Sequence, residues 1–112
     1  MADERYTYIW EYEVPAETEA EFLVHYTASG TWAQLFRRSP GYLSTELYRD
    51  RVHPDRFVTI DHWLGEAAFQ EFRSRFGAEF DALDRQCAHL TRREILVGHF
   101  RLAPGGGWST PG

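Results

Sequence analysis

Between residues 66 and 90, Phe69, Phe72, Phe76, Phe80, Leu83, Cys87 and Leu90 recur in steps of three and four. Only an α-helix brings such positions onto one face, and a stripe of large apolar groups must be buried against something. The spacing predicts one long amphipathic helix of about six turns, with Gly65 at its N-cap. Gly77 interrupts the pattern; a mid-helix glycine costs about 1 kcal/mol relative to alanine, so close packing is the expected reason for it.

The partner surface must come from the rest of a chain of 112 residues, enough for one domain with one core. Residues 6–14, YTYIWEYEV, are β-branched and aromatic and stop at Pro15, which reads as a strand. Its Tyr6, Tyr8, Trp10, Tyr12 and Val14 share one face, and Thr7, Ile9, Glu11 and Glu13 the other. Thr18 with Glu21, and Thr31 with Gln34, have capping-box spacing. They predict two short helices, carrying Phe22, Leu23 and Tyr26, then Trp32, Leu35 and Phe36, with a break at Ser29-Gly30. Residues 42–51 and 56–64 alternate as two strands of a hairpin, and residues 93–100 form a last strand. The order β-α-β-β-α-β predicts an α+β fold. It is a ferredoxin-like protomer, with the helices on one face of a four-stranded antiparallel sheet. Residues 1–102 are expected to form this domain, and the Gly/Pro-rich residues 103–112 a disordered tail, with Trp108 the one side chain there able to dock. The opposite sheet face carries too many large groups to stay wet, so a homodimer is expected.

Charge and composition exclude several classes. The net charge is -5 and all 12 Lys+Arg residues are arginine, which leaves no basic face for nucleic acid. No apolar run approaches the roughly 20 residues of a membrane span, and the opening MADERYTY carries no signal-peptide hydrophobic stretch, so a cytoplasmic protein is expected. One cysteine, Cys87, on the helical stripe, excludes an internal disulfide and reads as a buried thiol. No histidines have ligand spacing and no glycine pattern opens a helix after a strand, so neither metal nor phosphate binding is expected.

The residues GTWAQLFRRSPGYLSTELYRD, followed by a strand ending in Trp63, the small Gly65 and EAAFQEF, resemble the antibiotic biosynthesis monooxygenase family. The resemblance spans residues 6–100. It implies a dimeric α/β barrel of ferredoxin-like protomers whose sheets face each other. It also implies one of two chemistries: cofactor-independent oxygenation of aromatic polyketides, in which a deprotonated substrate reacts directly with oxygen, or haem binding and degradation. Haem-degrading members carry an axial histidine in the second helix, where this stripe is phenylalanine and leucine until His89, so haem is not expected. The oxygenases use an asparagine to position substrate or oxygen, and this chain has no asparagine. Thr59 is the polar residue four positions before the tryptophan. In both branches the tryptophan matching Trp63 lines the pocket, so Trp63 is read as a pocket wall, with a core plug as the competing reading.

Alternation puts Phe57, Thr59, Asp61 and Trp63 on one face of their strand and Val58, Ile60 and His62 on the other. Asp61 beside an indole in an apolar cleft would have its pKa raised by desolvation, as a general base requires; alternatively it pairs with an arginine such as Arg49. Glu11, mid-strand, either pairs with an arginine or acts in the pocket. His25 and Tyr26 lie beside the helix break, positioned to close a pocket mouth, and His25 titrates in a range useful for proton transfer; a solvent-facing or structural histidine is the alternative. Trp32 and Phe36 are pocket lining or core. The expected function is that of a cofactor-free enzyme on an aromatic or polyketide-type molecule, as oxygenase, cyclase or isomerase. Asp61, His25 and Glu11 would move protons, with Trp63, Trp32, Phe36, Tyr26 and Thr59 at the substrate. The alternative is a non-catalytic dimeric barrel protein that binds a small ligand or accompanies a pathway.

Overall fold

The computed structural model describes residues 4–109. Four strands, β1 (Tyr6–Glu13), β2 (Tyr42–Arg49), β3 (Arg56–Trp63) and β4 (Arg93–Arg101), form one antiparallel sheet in the order β2-β3-β1-β4. Helices α1 (Glu19–Tyr26) and α2 (Thr31–Phe36) connect β1 to β2, and α3 (Glu66–Arg75) and α4 (Gly77–Cys87) connect β3 to β4. This is the ferredoxin-like α+β arrangement, with both helical segments on one sheet face.

That face is the core. Phe57, Thr59, Asp61 and Trp63 of β3 are buried in strict alternation, as are Tyr6, Tyr8 and Tyr12 of β1, whose same-face Trp10 is half-buried. They meet Phe22 and Tyr26 of α1, Trp32 and Phe36 of α2, Phe72 of α3, and Leu83 and Cys87 of α4. Most of these neighbours are rings packed edge-on or tilted, which favours the aromatic quadrupoles as well as burial. On the outer face Thr7, Ile9, Val58, Ile60 and His62 are half-exposed.

Three local expectations need correction. The long helix is two: at Phe76 the backbone leaves the helical region (φ -114, ψ 24), while hydrogen bonds from Phe76 N to Phe72 O and from Phe80 N to Phe76 O carry the chain across. A Cβ on Gly77 would meet nothing within 4 Å, so close packing is not the reason for this glycine. The break has a packing consequence, because α3 sends Phe69 and Phe72 to Trp63 whereas α4 sends Phe80 to Trp32. Neither capping box forms. Thr18 turns its hydroxyl to the carbonyls of Leu90 and Pro15, and Thr31 bonds to His25 while Gly30 takes the N-cap. Gly30 is needed for space, since a Cβ there would lie 2.7 Å from the carbonyl oxygens of Val24 and His25.

The β2–β3 hairpin is held by Asp50, whose Oδ1 accepts from the backbone of Val52 and His53 and whose Oδ2 accepts from Arg56. After β4 the chain makes a turn closed by Gly106 N to Ala103 O and leaves Trp108 exposed over the outer sheet face, beside Thr7, Ile60 and Phe100. The end of the expected tail, residues 110–112, lies outside the described residues.

Candidate functional site

Between the sheet and helices α1, α2 and α4 lies a cavity of about 220 Å³. Its floor is built by register. Across the sheet, Thr45 of β2 stands opposite Asp61 of β3, which stands opposite Tyr8 of β1. One row on, Thr59 stands opposite Trp10. The helices supply Tyr26, Trp32, Phe36, Phe80 and Asp84, and β4 supplies Glu94.

Asp61 is the chemically distinctive group. It is 5% exposed on the cavity wall, and Thr45 Oγ1 donates to its Oδ1 at 2.5 Å. No other hydrogen bond or ion pair reaches this carboxylate among the described residues, so Oδ2 is without a protein partner. Burial disfavours the charged form and pushes its pKa up to about 7, against which the Thr45 hydrogen bond pulls down. A carboxyl that exchanges its proton near neutrality inside an apolar cavity has the acidity required of a general base. The expected alternative, a pairing with Arg49, is not seen: Arg49 bonds to Glu19 at 2.7 Å and stacks on Phe57.

The relay extends outward. Thr45 has a single hydroxyl proton, which it gives to Asp61, so Tyr42 Oη donates to Thr45 at 2.6 Å. Tyr42 is half-buried, so a hydrogen-bonded path of two side chains leads from the buried carboxylate toward the surface. Burial, then the Asp61 charge, raise the Tyr8 hydroxyl well above its ordinary value. Tyr12 is raised as well, first by burial and then by Tyr26. Both are held as neutral phenols.

Of the residues singled out from sequence, Asp61, Thr59, Tyr26, Trp32 and Phe36 line this cavity. Glu11 does not: it lies on the outer sheet face as an ion pair with Arg56, whose hydrogen bond holds its carboxyl below the usual range. His25 is buried behind the wall with Nδ1 bonded to Thr31 at 2.9 Å, a tie between α1 and α2 across their break. Trp63 is 0% exposed and lies outside the lining. Phe36, Tyr42, Phe69 and Phe72 surround its indole at centroid distances of 5.2 to 5.5 Å, and Nε1 has no hydrogen-bond partner among the described residues. The structure thus gives Trp63 the packing of a core plug, because α3 closes over it directly from the strand end.

Sequence reasoning did not single out Tyr8, Trp10, Tyr12, Thr45, Phe80, Asp84 and Glu94 as wall residues. Alternation in β1 carried the signal for the first three, and the phenylalanine stripe for Phe80. Thr45, Asp84 and Glu94 reach the wall through strand register and the tilt of α4, neither of which shows in local pattern.

The model of the family described as antibiotic biosynthesis monooxygenase matches residues 5–84. Comparison with curated protein sequences finds no significant match. Among solved structures, the chain is similar to SnoaB, a cofactor-independent oxygenase from Streptomyces nogalater, at 24% identity and a TM-score of 0.67, covering 90% of this chain and 95% of that one. It is similar as well to the protein PA3566 from Pseudomonas aeruginosa, at 19% identity and a TM-score of 0.63, covering 90% and 96%. At these identities the likeness is one of fold. The matched segment includes β1 to β3, α1 to α3 and most of α4, and with it the chain belongs to the antibiotic biosynthesis monooxygenase family.

Proposed function

We propose that this protein is a cofactor-independent monooxygenase acting on an aromatic, polyketide-type small molecule, with Asp61 as the base. The observation that carries the reading is one buried carboxylate, with a pKa near neutrality, on the wall of a cavity lined by aromatic side chains. Asp61 takes a proton from an acidic ring C–H of the substrate. The resulting carbanion is electron-rich enough to reduce oxygen; a ring methylene plus one O₂ gives a carbonyl and one water. The phenols of Tyr8 and Tyr12, held neutral, are donors available to oxygen anions formed beside them. The size supports a ligand of one or two buried rings, since about 150 Å³ already accepts benzene. Family membership supports the reaction class.

The same reading has the protein as a homodimer through the outer sheet face. Support comes from Ile9 and Ile60 half-exposed at the centre of that face, with Tyr48 and Phe100 exposed beside them. One observation favours the alternative, a non-catalytic ligand-binding member: the chain has no asparagine to position substrate or oxygen.

Anthrone, whose methylene lies between two aromatic rings, tests the proposal. Oxygen uptake of one O₂ per anthraquinone formed, abolished in Asp61→Asn, is the expected result. Uptake no faster than without protein, or unchanged in Asp61→Asn, overturns it.

A further inference from the structure

The charges around the cavity have one sign. Besides Asp61, the ionisable wall groups other than tyrosine are Asp84 on α4 and Glu94 on β4, both exposed; among the described residues no arginine or histidine belongs to the wall. Neither Asp84 nor Glu94 has a basic partner among the described residues, although arginines elsewhere are extensively paired with acids. Glu94 accepts one hydrogen bond, from Thr91. Arg73 stacks on Phe80 at 3.9 Å but pairs with Asp81 and lies outside the wall.

The carboxylates are also spread out. Tyr8 stands opposite Asp61 and Tyr12 opposite Glu94, on the two sides of β1. Four residues along a strand is roughly 13 Å, so the buried and the outer carboxylates stand at two ends of one cleft. Among the described residues no three ligating side chains converge as a metal site would require. Between the two ends lie the rings of Trp10, Tyr12, Tyr26, Trp32 and Phe80. Rings attract cations over their faces, most strongly indole, and unpaired carboxylates at a partly desolvated mouth do the same.

We infer that the cleft selects an arylalkylamine: an aromatic nucleus buried toward Asp61, carrying a protonated amine that Asp84 and Glu94 hold at the opening. This rests on the reading of the cavity as the substrate site and specifies the substrate's charge. The surrounding groups respond to the same negative field. Burial raises the Glu94 carboxyl, a hydrogen bond from Thr91 opposes it, and the Asp84 charge adds a smaller rise. Tyr26 is raised by burial first, with Glu94 among the lesser causes. A cleft whose charged wall groups are all carboxylates disfavours an anionic ligand and favours a cationic one.

Three probes of matched shape test this by calorimetric titration at pH 7.5: 2-(1-naphthyl)ethylamine, 2-(1-naphthyl)ethanol and 1-naphthaleneacetate. The amine is expected to bind roughly tenfold more tightly than the alcohol, and the acetate more weakly than either. In the Asp84→Asn/Glu94→Gln double variant the amine-to-alcohol ratio should fall to about one. Alcohol binding within that variant shows that the cavity is still formed. Equal binding of amine and alcohol to the unaltered protein overturns charge selection and leaves the base assignment standing. A ratio that survives in the double variant overturns the role of Asp84 and Glu94. Failure of all three probes to bind removes the cavity as a ligand site and the inference with it. Loss of the Asp61 dependence of anthrone oxidation would instead remove the base while leaving the amine preference intact.

Discussion

Thr45 donates its hydroxyl proton to Asp61 directly across the β2–β3 pair, and this is the one hydrogen bond the buried carboxylate receives among the described residues. The bond opposes desolvation, the larger effect. Removing the donor should therefore let desolvation act alone. Thr45→Val is expected to raise the Asp61 pKa by about one unit, the scale of one good hydrogen bond to a charged group. Thr45→Ser, which keeps the hydroxyl, should restore it. Carbon-13 NMR of the labelled aspartate carboxyl across pH 5 to 9 reads this shift. An unchanged midpoint in Thr45→Val would mean that another donor reaches Asp61.

The raised Asp61 pKa has a stability consequence with a definite sign. The unfolded chain loses this proton near pH 4, whereas the folded protein holds it to about 7. Between those values the native state binds more protons than the unfolded state, so the contribution of Asp61 to stability falls as pH rises through the window and then levels off. Asp61→Asn should be stabilising above pH 7, by about 4 kcal/mol at most from a shift of this size, with the difference vanishing near pH 4. Thermal unfolding of both proteins at pH 4.5, 6 and 8 measures it. A Tm difference independent of pH would show that Asp61 does not titrate in this window.

Much of this site was legible from two periodicities. Period two in residues 56–64 put Phe57, Thr59, Asp61 and Trp63 on one face, and the structure buries that same set. What pattern could not show is what stands across from them. That Thr45, and not Ser44 or Glu46, meets Asp61 follows from the register the hairpin sets, with Arg49 opposite Phe57. Asp84, on α4 beyond the break at Phe76, lines the cavity although no local pattern marks it out. The capping boxes failed for a related reason: a distant acceptor, the Leu90 carbonyl, took the Thr18 hydroxyl. Glu11 resolved to an ion pair because Arg56 lies beside it across the β1–β3 pair, a cross-strand pairing that composition does not reveal.

The outer sheet face makes a separate prediction. Ile60 sits at mid-strand on that face, next to the hydrogen-bonded group of Thr7, His62 and Glu46, and far from the helices. If two copies pair there, one added charge at Ile60 would be buried without a partner, at a cost of several kcal/mol to association. Ile60→Arg should sediment at the protomer mass of 13.1 kDa, and the unaltered protein at twice that value, both at micromolar concentration. A single protomer mass for both would remove the dimer.

Trp63 distinguishes a packing role from a binding one. Its indole is fully buried among four rings and lies outside the cavity lining, behind wall residues such as Phe36, 5.5 Å from the indole centroid. Trp63→Ala would leave a large void between β3 and α3 that the surrounding rings cannot all fill, and should cost about 3–5 kcal/mol in urea unfolding. Trp63→Phe keeps most of the volume and removes a buried N–H that has no partner, so the two effects oppose and the cost should be about 1 kcal/mol. Binding should rank differently. In Trp63→Phe the affinity for 2-(1-naphthyl)ethanol should stay within about twofold of the unaltered protein, because no wall atom is lost. Trp32→Phe, which does replace a wall residue, should weaken it by more. A Trp63→Phe protein that folds with undiminished stability but loses the ligand would reverse this assignment and make Trp63 part of the wall.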